Sequence, residues 1–167
     1  PAGTDVILSR AMDFEHLVEI NDPAIPLLAV LDRHQVWAGL MRRVEDARPF
    51  LPGLDECRIL ERDDQGVRRL LRWGAVEVVD RVSFAALQWV RFETLATAEH
   101  GGGTLTIRIE EPEPRRLFLR FTYRTVFAVD READDAAYAE FLRRAYEAAD
   151  VDTVRLIRRM AETNPLH

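Results

Sequence analysis

The sequence predicts an α+β fold in which a curved antiparallel sheet of about seven strands wraps around one long C-terminal helix. Two observations predict this architecture. Between Leu54 and Phe127, apolar runs alternate with tight turns at hairpin spacing, which indicates antiparallel strands joined in chain order. From Ala133 to Glu162, apolar residues instead recur at helical spacing. Because a sheet of this size twists and curls, one long helix can fill its concave side.

The segment before the sheet predicts one strand and two short helices. Residues Phe14–Ile20 alternate loosely between apolar and polar side chains, which is typical of a strand. Asp32 can cap a helix over Arg33–Glu45, where apolar residues recur at helical spacing. A second short helix is predicted over Asp46–Phe50, and Leu51-Pro52-Gly53 ends it.

Six further strands follow, separated by turn residues. They are predicted at Cys57–Glu61, Val67–Trp73, Ala75–Phe84, Leu87–Ala96, Thr104–Glu110 and Arg116–Phe127. On the last of these, Tyr123 lies on an apolar face, whereas Arg120 and Arg124 lie on the opposite face. That opposite face is either solvated, which is the usual case, or turned inward, where two arginines would hold a carboxylate or an enolate.

The predicted C-terminal helix is amphipathic, and the centre of its apolar face is made of small residues. The face consists of Tyr138, Phe141, Leu142, Ala145, Ala149, Leu156 and Met160. The opposite, polar face consists of Glu140, Arg143, Arg144, Glu147, Asp150, Arg158 and Glu162. Ala145 and Ala149 either let the sheet approach closely or leave room for a ligand. Asp152 falls in the same stripe, where a buried carboxylate is costly unless it is hydrogen-bonded or paired. It is therefore predicted either to bond a nearby hydroxyl or arginine, or to face a polar spot in a cavity.

Composition limits the classes of protein to which the chain can belong. Its 167 residues are 47% hydrophobic and 31% charged, which suits one soluble domain with a sizeable core. The net charge of −6 disfavours a surface for nucleic acid or anionic membranes. No apolar run approaches the roughly 20 residues of a membrane span. A single cysteine, Cys57, favours a reducing compartment, so we expect a cytoplasmic protein. We expect residues 1–11 to be a flexible leader or a cloning remnant, and residues 12–165 to form a single ligand-binding domain.

Short motifs are spread over most of the chain between Met12 and Met160. They are Met12-Asp13-Phe14-Glu15-His16, Asn21-Asp22-Pro23, Phe50-Leu51-Pro52-Gly53-Leu54-Asp55 with Cys57, Ile59-Leu60-Glu61-Arg62, Asp80-Arg81-Val82, Thr97-Ala98-Glu99-His100-Gly101-Gly102-Gly103-Thr104-Leu105, Ile109-Glu110-Glu111-Pro112, Leu119-Arg120-Phe121-Thr122-Tyr123-Arg124 and Asp150-Val151-Asp152-Thr153-Val154-Arg155. Together they resemble the AtaL-like branch of the START and birch-pollen-allergen (SRPBCC) superfamily. The resemblance implies a helix-grip fold with a deep apolar pocket between the sheet and the last helix. The superfamily includes polyketide cyclases and lipid-transfer domains. Because the branch carries no agreed catalytic motif, the resemblance assigns no catalytic residue.

The sequence contains no motif that predicts a metal site, a cofactor site or a nucleophile. The four histidines, His16, His34, His100 and His167, are scattered and lack the spacing of metal ligands. Gly101-Gly102-Gly103 precedes a strand rather than a helix, so a hairpin turn is favoured over a phosphate loop. The neighbouring Glu99-His100 pair is either part of a loop surface or an acid–base pair at the mouth of a pocket.

These patterns predict that the protein binds a small, largely apolar or aromatic ligand between the sheet and the C-terminal helix. The predicted wall consists of Trp73, Phe92, Tyr123, Phe141, Ala145, Ala149 and Asp152. The alternative is an enzyme of the polyketide cyclase or dehydratase type, in which Asp152, His100 or Glu99 would move protons. A third class is a regulatory module whose ligand controls a partner. We expect no metal, no cofactor and no nucleic acid, and either a monomer or a homodimer.

Overall fold

The computed structural model describes residues 9–96, 102–128 and 135–163. These ranges contain the strands β1 (Ser9–Asn21), β2 (Glu56–Asp63), β3 (Gly66–Trp73), β4 (Val76–Ala85), β5 (Trp89–Thr94), β6 (Gly103–Glu113) and β7 (Arg116–Ala128), and the helices α1 (Arg33–Glu45) and α2 (Asp135–Thr163). The strands form one sheet in the order β1-β7-β6-β5-β4-β3-β2, and all neighbours are antiparallel. The predicted helix-grip architecture is confirmed.

Alternation along the strands separates a buried concave face from a solvated convex face. On β7, for example, Leu119, Phe121 and Tyr123 are buried, whereas Thr122 and Arg124 between and beside them are exposed. Because successive side chains point to opposite faces of a sheet, these residues assign the faces of the strands paired with β7. Of the two interpretations of the face that contains Arg120 and Arg124, the solvated one is correct. Both point outward and form ion pairs, Arg120 with Glu110 and Glu15, and Arg124 with Asp13.

The two helices pack against each other over one end of the concave face. Val36, Leu40 and Val44 of α1 and Val154 and Ile157 of α2 join the buried side chains of the strands in a single core. Gly39 permits the close approach of the helices, because a Cβ at this position would lie 2.7 Å from Ile157 Cγ1. This packing closes one end of the concave face and leaves the other end, lined by residues of β3 to β7, for a cavity.

Two boundaries differ from those that the sequence predicts. Residues 46–50 form a single turn rather than a second short helix, with the Phe50 and Leu51 amides both bonded to the Ala47 carbonyl. The turn cannot extend because Asp46 is extended (φ −150°, ψ 105°) and the proline ring of Pro49 lacks an amide donor. At the other boundary, β1 begins at Ser9, and residues 9–11 pair with β7. Backbone pairing with β7 thus extends the sheet into the segment that we expect to be a leader.

The described helices also bear on the expectation that the chain has no membrane span. Neither α1 nor α2 combines the length and the apolar character that a membrane-crossing helix requires. Both helices instead present charged side chains on the side away from the sheet, including Arg42 on α1 and Arg155 on α2.

Candidate functional site

A cavity of about 410 Å³ opens on the concave face beyond the packed ends of the helices. Apolar side chains from four strands form most of its wall: Leu71, Trp73, Val78, Phe92 and Leu105, with the ring of Tyr123. Tyr146 of α2 closes one side. Val76, which is 60% exposed, marks the place where the cavity meets solvent. The site is therefore an apolar recess in the sheet, covered in part by one aromatic residue of the C-terminal helix.

The structure brings three of the seven predicted wall residues together at this cavity. Trp73 on β3, Phe92 on β5 and Tyr123 on β7 all line it, because each belongs to the inward-facing set of its strand. The four residues taken from the C-terminal helix do not line it. Phe141 is 66% exposed, Ala145 is exposed and Ala149 is only half-buried. Whether any of these residues binds a ligand stays a prediction.

The placement of Asp152 in a buried stripe is wrong. Its side chain is 71% exposed and lies 3.6 Å from Arg155 in an ion pair one turn along the helix. The buried face of α2 instead contains Tyr146, Asp150, Thr153 and Ile157. The buried acid of this part of the helix is therefore Asp150 and not Asp152. The physical reason is that the buried face includes polar residues, which have buried hydrogen-bonding partners. The buried face therefore differs from the face predicted from the apolar residues alone.

Arg69 and Asp80 form a sealed ion pair at the floor of the cavity. Their exposures are both 2%, and Arg69 donates from Nε to Asp80 Oδ1 (2.9 Å) and from Nη2 to Oδ2 (2.6 Å). Arg69 Nη1 donates to the carbonyl oxygens of Arg43 and Val44, at 2.9 and 3.0 Å. Those carbonyls belong to the last turn of α1, where a cation is favourable. Every nitrogen of this guanidinium is therefore hydrogen-bonded, which fixes the end of α1 to the sheet.

Arg43 is the second buried arginine of the cavity, and it is far less well partnered. It is 8% exposed, and its Nη1 donates to Thr153 Oγ1 at 3.1 Å. Its guanidinium carbon lies 5.1 Å from the centre of the Phe92 ring, and that of Arg69 lies 5.2 Å from the same ring. Burial lowers the pKa of Arg43 from its ordinary value, but an arginine stays protonated in proteins. The apolar recess thus contains a permanent positive charge.

A hydrogen-bonded chain links the cavity wall to His16, on the concave face of β1. The hydroxyl of Tyr123 donates to Asp150 Oδ1, and Asp150 Oδ2 lies 3.2 Å from His16 Nδ1. The side chain of Asp150 is 1% exposed and that of His16 is 27% exposed. Burial raises the pKa of Asp150 to about 6, although its bonds to Tyr123 and His16 oppose this rise. Burial, together with the nearby Asp150 carboxylate, also raises the pKa of Tyr123. Of Asp150 and Tyr123, it is therefore Asp150 whose pKa lies close to neutral pH.

Stacked tyrosines hold this chain against the helix. The rings of Tyr123 and Tyr146 are stacked, with centroids 4.1 Å apart and an interplanar angle of 7°. Phe14 meets Tyr146 edge to face at 5.8 Å, and the hydroxyl of Tyr146 lies 2.9 Å from Thr125 Oγ1. These contacts fix the one α2 side chain that lines the cavity, so its wall is preorganised on this side.

Several functional residues escape sequence reasoning, although some of them leave a signal. Arg43 follows Val36 by seven positions and Leu40 by three, so helical spacing places it on the buried face of α1. Asp150 similarly precedes Val154 by four positions and Ile157 by seven. The pairing of Arg43 with Thr153 leaves no such signal, because 110 residues separate the partners. The Glu99-His100 pair lies outside the described residues.

The described residues also bear on the expectation that the chain has no metal site. In residues 9–96, 102–128 and 135–163, no group of three or more His, Cys, Asp and Glu side chains is arranged to hold a metal ion. His16 and Asp150 are in contact with each other, but no third side chain of these types joins them among the described residues. Cys57 is half-buried on β2 with its sulfur 3.9 Å from Arg69 Nη1.

Comparison with solved structures shows that this architecture is similar to that of aromatase/cyclases. The di-domain aromatase/cyclase StfQ from the steffimycin biosynthetic pathway superposes with a TM-score of 0.69 at 11% identity, over 92% of this chain and 51% of that chain. The Zhui aromatase/cyclase from Streptomyces sp. R1128 gives 0.60 at 18% identity, over 93% and 94%. Ara h 8.0201 gives 0.60 at 6% identity, over 89% and 98%. The chain thus spans about half the length of the di-domain protein, and at these identities the likeness concerns the fold alone.

Comparison with protein families gives a more specific result. No curated protein sequence matches the chain. The family described as acetylaranotin biosynthesis cluster protein L (AtaL) matches residues 18–164. This match runs from β1 to the end of α2 and so includes the whole cavity. The chain therefore belongs to the AtaL family.

Proposed function

We propose that the protein binds a small, largely apolar or aromatic molecule in the cavity between the sheet and the C-terminal helix. The observation that carries this proposal is the cavity itself, because its volume of about 410 Å³ lies in the range of about 300–1,000 Å³ that is usual for ligand sites. Its wall is mostly apolar and aromatic, with a few polar groups at fixed positions. That combination is typical of sites that bind small organic molecules.

The wall is also held in place before any ligand arrives. Tyr123 is fixed by Asp150 and Tyr146, and Phe92 lies against the guanidinium groups of Arg43 and Arg69. A preformed wall supports binding because little conformational entropy is lost when the ligand enters. The solved aromatase/cyclases with the same fold add support for a polyketide-like, aromatic ligand.

Filling the cavity tests this proposal directly. Thr94 lines the cavity and shares the inward face of β5 with Val90 and Phe92. We expect Thr94→Trp to occupy the recess and to abolish uptake of the neutral fluorescent dye N-phenyl-1-naphthylamine. The measurement is a fluorescence titration of the dye, with circular dichroism to show that the variant folds.

Glu93→Trp provides a matched control on the same strand. Glu93 is adjacent to Thr94 but lies on the exposed convex face, so the same large ring is added outside the cavity. This control should bind the dye as the unchanged protein does. Dye binding that survives Thr94→Trp in a folded protein would contradict the proposal, because the bound dye would then lie elsewhere.

A second candidate function is catalysis of the cyclase or dehydratase type in the same cavity. The observation that favours it is the chain from His16 through Asp150 to Tyr123, because a buried carboxyl with a pKa of about 6 exchanges protons near neutral pH. In an aldol cyclisation, a base removes a proton from the carbon beside one carbonyl, and that carbon then bonds to a second carbonyl carbon. The proton returns to the oxygen of that second carbonyl, which becomes a hydroxyl. A subsequent dehydration removes the remaining proton of the attacking carbon together with this hydroxyl as water, and a carbon–carbon double bond forms. Asp150 would hold the transferred proton, and Tyr123 would connect it to the cavity.

Deuterium exchange at a simple ketone separates this enzyme from a binder. The probe is 1-tetralone in deuterium oxide, and the measurement is the NMR signal of the protons beside its carbonyl. An enzyme of this type accelerates the exchange, and Asp150→Asn and Tyr123→Phe both remove the acceleration. If exchange proceeds at the uncatalysed rate and the protein binds the dye in the separate titration, binding is the better description of its function.

A further inference from the structure

Arg43 carries a buried positive charge that no carboxylate of the described chain neutralises by direct contact. Within residues 9–96, 102–128 and 135–163, its hydrogen bond is to the neutral hydroxyl of Thr153, and it forms no ion pair. The desolvation of an unpaired guanidinium is costly, and buried charges are therefore usually paired with an opposite charge. The fold thus bears a cost at Arg43 that the sealed Arg69–Asp80 pair avoids.

The unused donors of Arg43 face the cavity. Among the described side chains, the nitrogen and oxygen atoms that are both sealed from solvent and without a hydrogen bond are Arg68 Nε and Arg116 Nε. Arg43 Nε and Nη2 are not in this set, although neither makes a hydrogen bond. Both nitrogens therefore reach open space, and for a side chain that lines the cavity and is 8% exposed, that space is the cavity.

The two nearest acids are already engaged with other partners. Both carboxylate oxygens of Asp80 accept hydrogen bonds from Arg69. Both oxygens of Asp150 are bonded as well, one to Tyr123 and the other to His16. These carboxylates attract Arg43 at longer range, whereas Arg69 repels it. Within the described residues, neither acid forms a hydrogen bond or an ion pair with the guanidinium of Arg43.

We propose that the ligand of this cavity carries a carboxylate on an apolar or aromatic body, and that Arg43 binds this carboxylate. The inference rests on the proposed binding function and adds the chemical class of the ligand. The planar guanidinium presents its donors as a fork that matches two carboxylate oxygens. The body of the ligand would then extend along Phe92 and Leu105 toward Trp73. Arg43 is thus a specificity-determining residue on α1, whereas Arg120 and Arg124 point outward from the convex face of the sheet.

A pair of probes with the same shape tests the carboxylate directly. 2-Naphthoate and 2-naphthamide differ in charge but hardly in size, and their affinities are measured by isothermal titration calorimetry near neutral pH. We expect the unchanged protein to bind naphthoate at least about tenfold more tightly than naphthamide, because a hydrogen bond to a charged partner is about twice as strong as a neutral one. Arg43→Met should remove this preference while the affinity for naphthamide changes by less than about threefold. Arg43→Lys should keep part of it, since the charge remains but the fork is lost.

Arg42→Met is the matched control, because Arg42 is the adjacent residue of α1 and is exposed outside the cavity. It should leave the preference for naphthoate unchanged. A preference that survives Arg43→Met, or that Arg42→Met also removes, would overturn the inference. If the Arg43 variants do not fold, the unchanged protein still decides the matter, since equal affinity for the two probes refutes a carboxylate site.

The neutral dye separates this failure from failure of the proposed function. Dye binding that Thr94→Trp abolishes, combined with no preference for naphthoate, overturns the carboxylate inference and leaves the binding function intact. Absence of binding for the dye and for both naphthalene probes overturns both together.

Discussion

Arg69 and Arg43 flank the same Phe92 ring at nearly the same distance, yet the fold treats them in opposite ways. Arg69 is bonded through every nitrogen, to a carboxylate on β4 and to two carbonyls at the end of α1. Arg43 is bonded through one nitrogen to one hydroxyl. The difference teaches that burial of a charge has two uses in this molecule. A sealed, fully partnered charge joins the elements of the fold, whereas a buried charge with open donors is available to something that enters the cavity.

The largest expected effect comes from breaking the sealed pair. Asp80→Asn keeps the size of the side chain but leaves the charge of Arg69 buried without its counter-ion. We expect a loss of roughly 3–5 kcal/mol in the free energy of unfolding, as is usual when one member of a buried pair is removed. Chemical denaturation in urea measures it.

The double variant Arg69→Met/Asp80→Asn sharpens this result. It removes the uncompensated charge, so it should recover part of the stability that Asp80→Asn loses. It should remain less stable than the unchanged protein, because the carbonyls of Arg43 and Val44 lose their donor. A loss below about 1 kcal/mol for Asp80→Asn alone, the value of an exposed pair, would show that the cluster is not sealed.

The next effect concerns Asp150, the buried acid that accepts a hydrogen bond from Tyr123 of the cavity wall. Its pKa in the folded protein is about 6, whereas an ordinary Asp has 3.8, so the folded state binds this proton more tightly than the unfolded chain does. Its contribution to stability therefore rises as the pH falls from about 6 to about 4, and the cost of its ionised form is fully present above about pH 6. From the two pKa values, the change is on the order of 2–3 kcal/mol.

Comparison with Asp150→Asn separates the pH-dependent contribution of Asp150 to stability from the contributions of the other carboxyl groups. The stability of the unchanged protein relative to the variant should increase by that amount as the pH is lowered from about 8 to about 4. Urea denaturation of both proteins at each pH measures the difference. A constant difference across this range would show that Asp150 titrates normally, and the case for a proton-transfer role would fall with it.

The third effect is smaller and concerns the open arginine. Arg43→Met removes one hydrogen bond to Thr153, which is worth about 0.5–1.5 kcal/mol, but it also relieves the burial of an unpaired charge. We therefore expect a net change of at most about 1 kcal/mol in the free energy of unfolding. This value, set against the much larger loss for Asp80→Asn, is the quantitative form of the contrast between the two arginines. A loss of about 3 kcal/mol or more would mean that Arg43 is structural as well.

Strand periodicity explains why part of the site is predictable from sequence. Alternation along a strand identifies Trp73, Phe92 and Tyr123 as members of apolar faces, and antiparallel pairing then brings those faces to one side of the sheet. The order of β2 to β7 follows from hairpin-length connections, whereas β1 pairs with β7, which lies far away in the sequence. The hairpin order and the strand-borne half of the wall are therefore encoded locally, and the position of β1 is not.

The helix-borne half of the site is not encoded in this way. Tyr146, Asp150 and Thr153 are polar or amphipathic, and they face inward because the sheet and α1 offer them partners: Thr125 for Tyr146, Tyr123 and His16 for Asp150, and Arg43 for Thr153. Their partners lie at sequence separations of 21 to 134 residues. A prediction based on apolar residues alone places the buried face of α2 on a different side of the helix from these residues. It thereby assigns Asp152 to the interior and Asp150 to solvent, the reverse of their positions in the structure.

The smallest expected effect is at Asp152, and it tests the corrected face of the helix. Asp152 pairs with Arg155 at 3.6 Å, and both side chains are more than 70% exposed, at 71% and 73%. Exposed pairs of this kind contribute little, because solvent screens the charges and holding two long side chains costs entropy. We expect Asp152→Asn to change the free energy of unfolding by less than about 0.5 kcal/mol at any pH between about 4 and 8. Dye and naphthoate binding should also stay unchanged, since the residue lies outside the cavity.

Asp152 and Asp150 lie on the same helix only two residues apart, so identical urea titrations of the two Asp→Asn variants compare an outward carboxylate with an inward one. A pH-dependent loss at Asp152 rather than at Asp150 would restore the purely apolar face of α2 and contradict the structure.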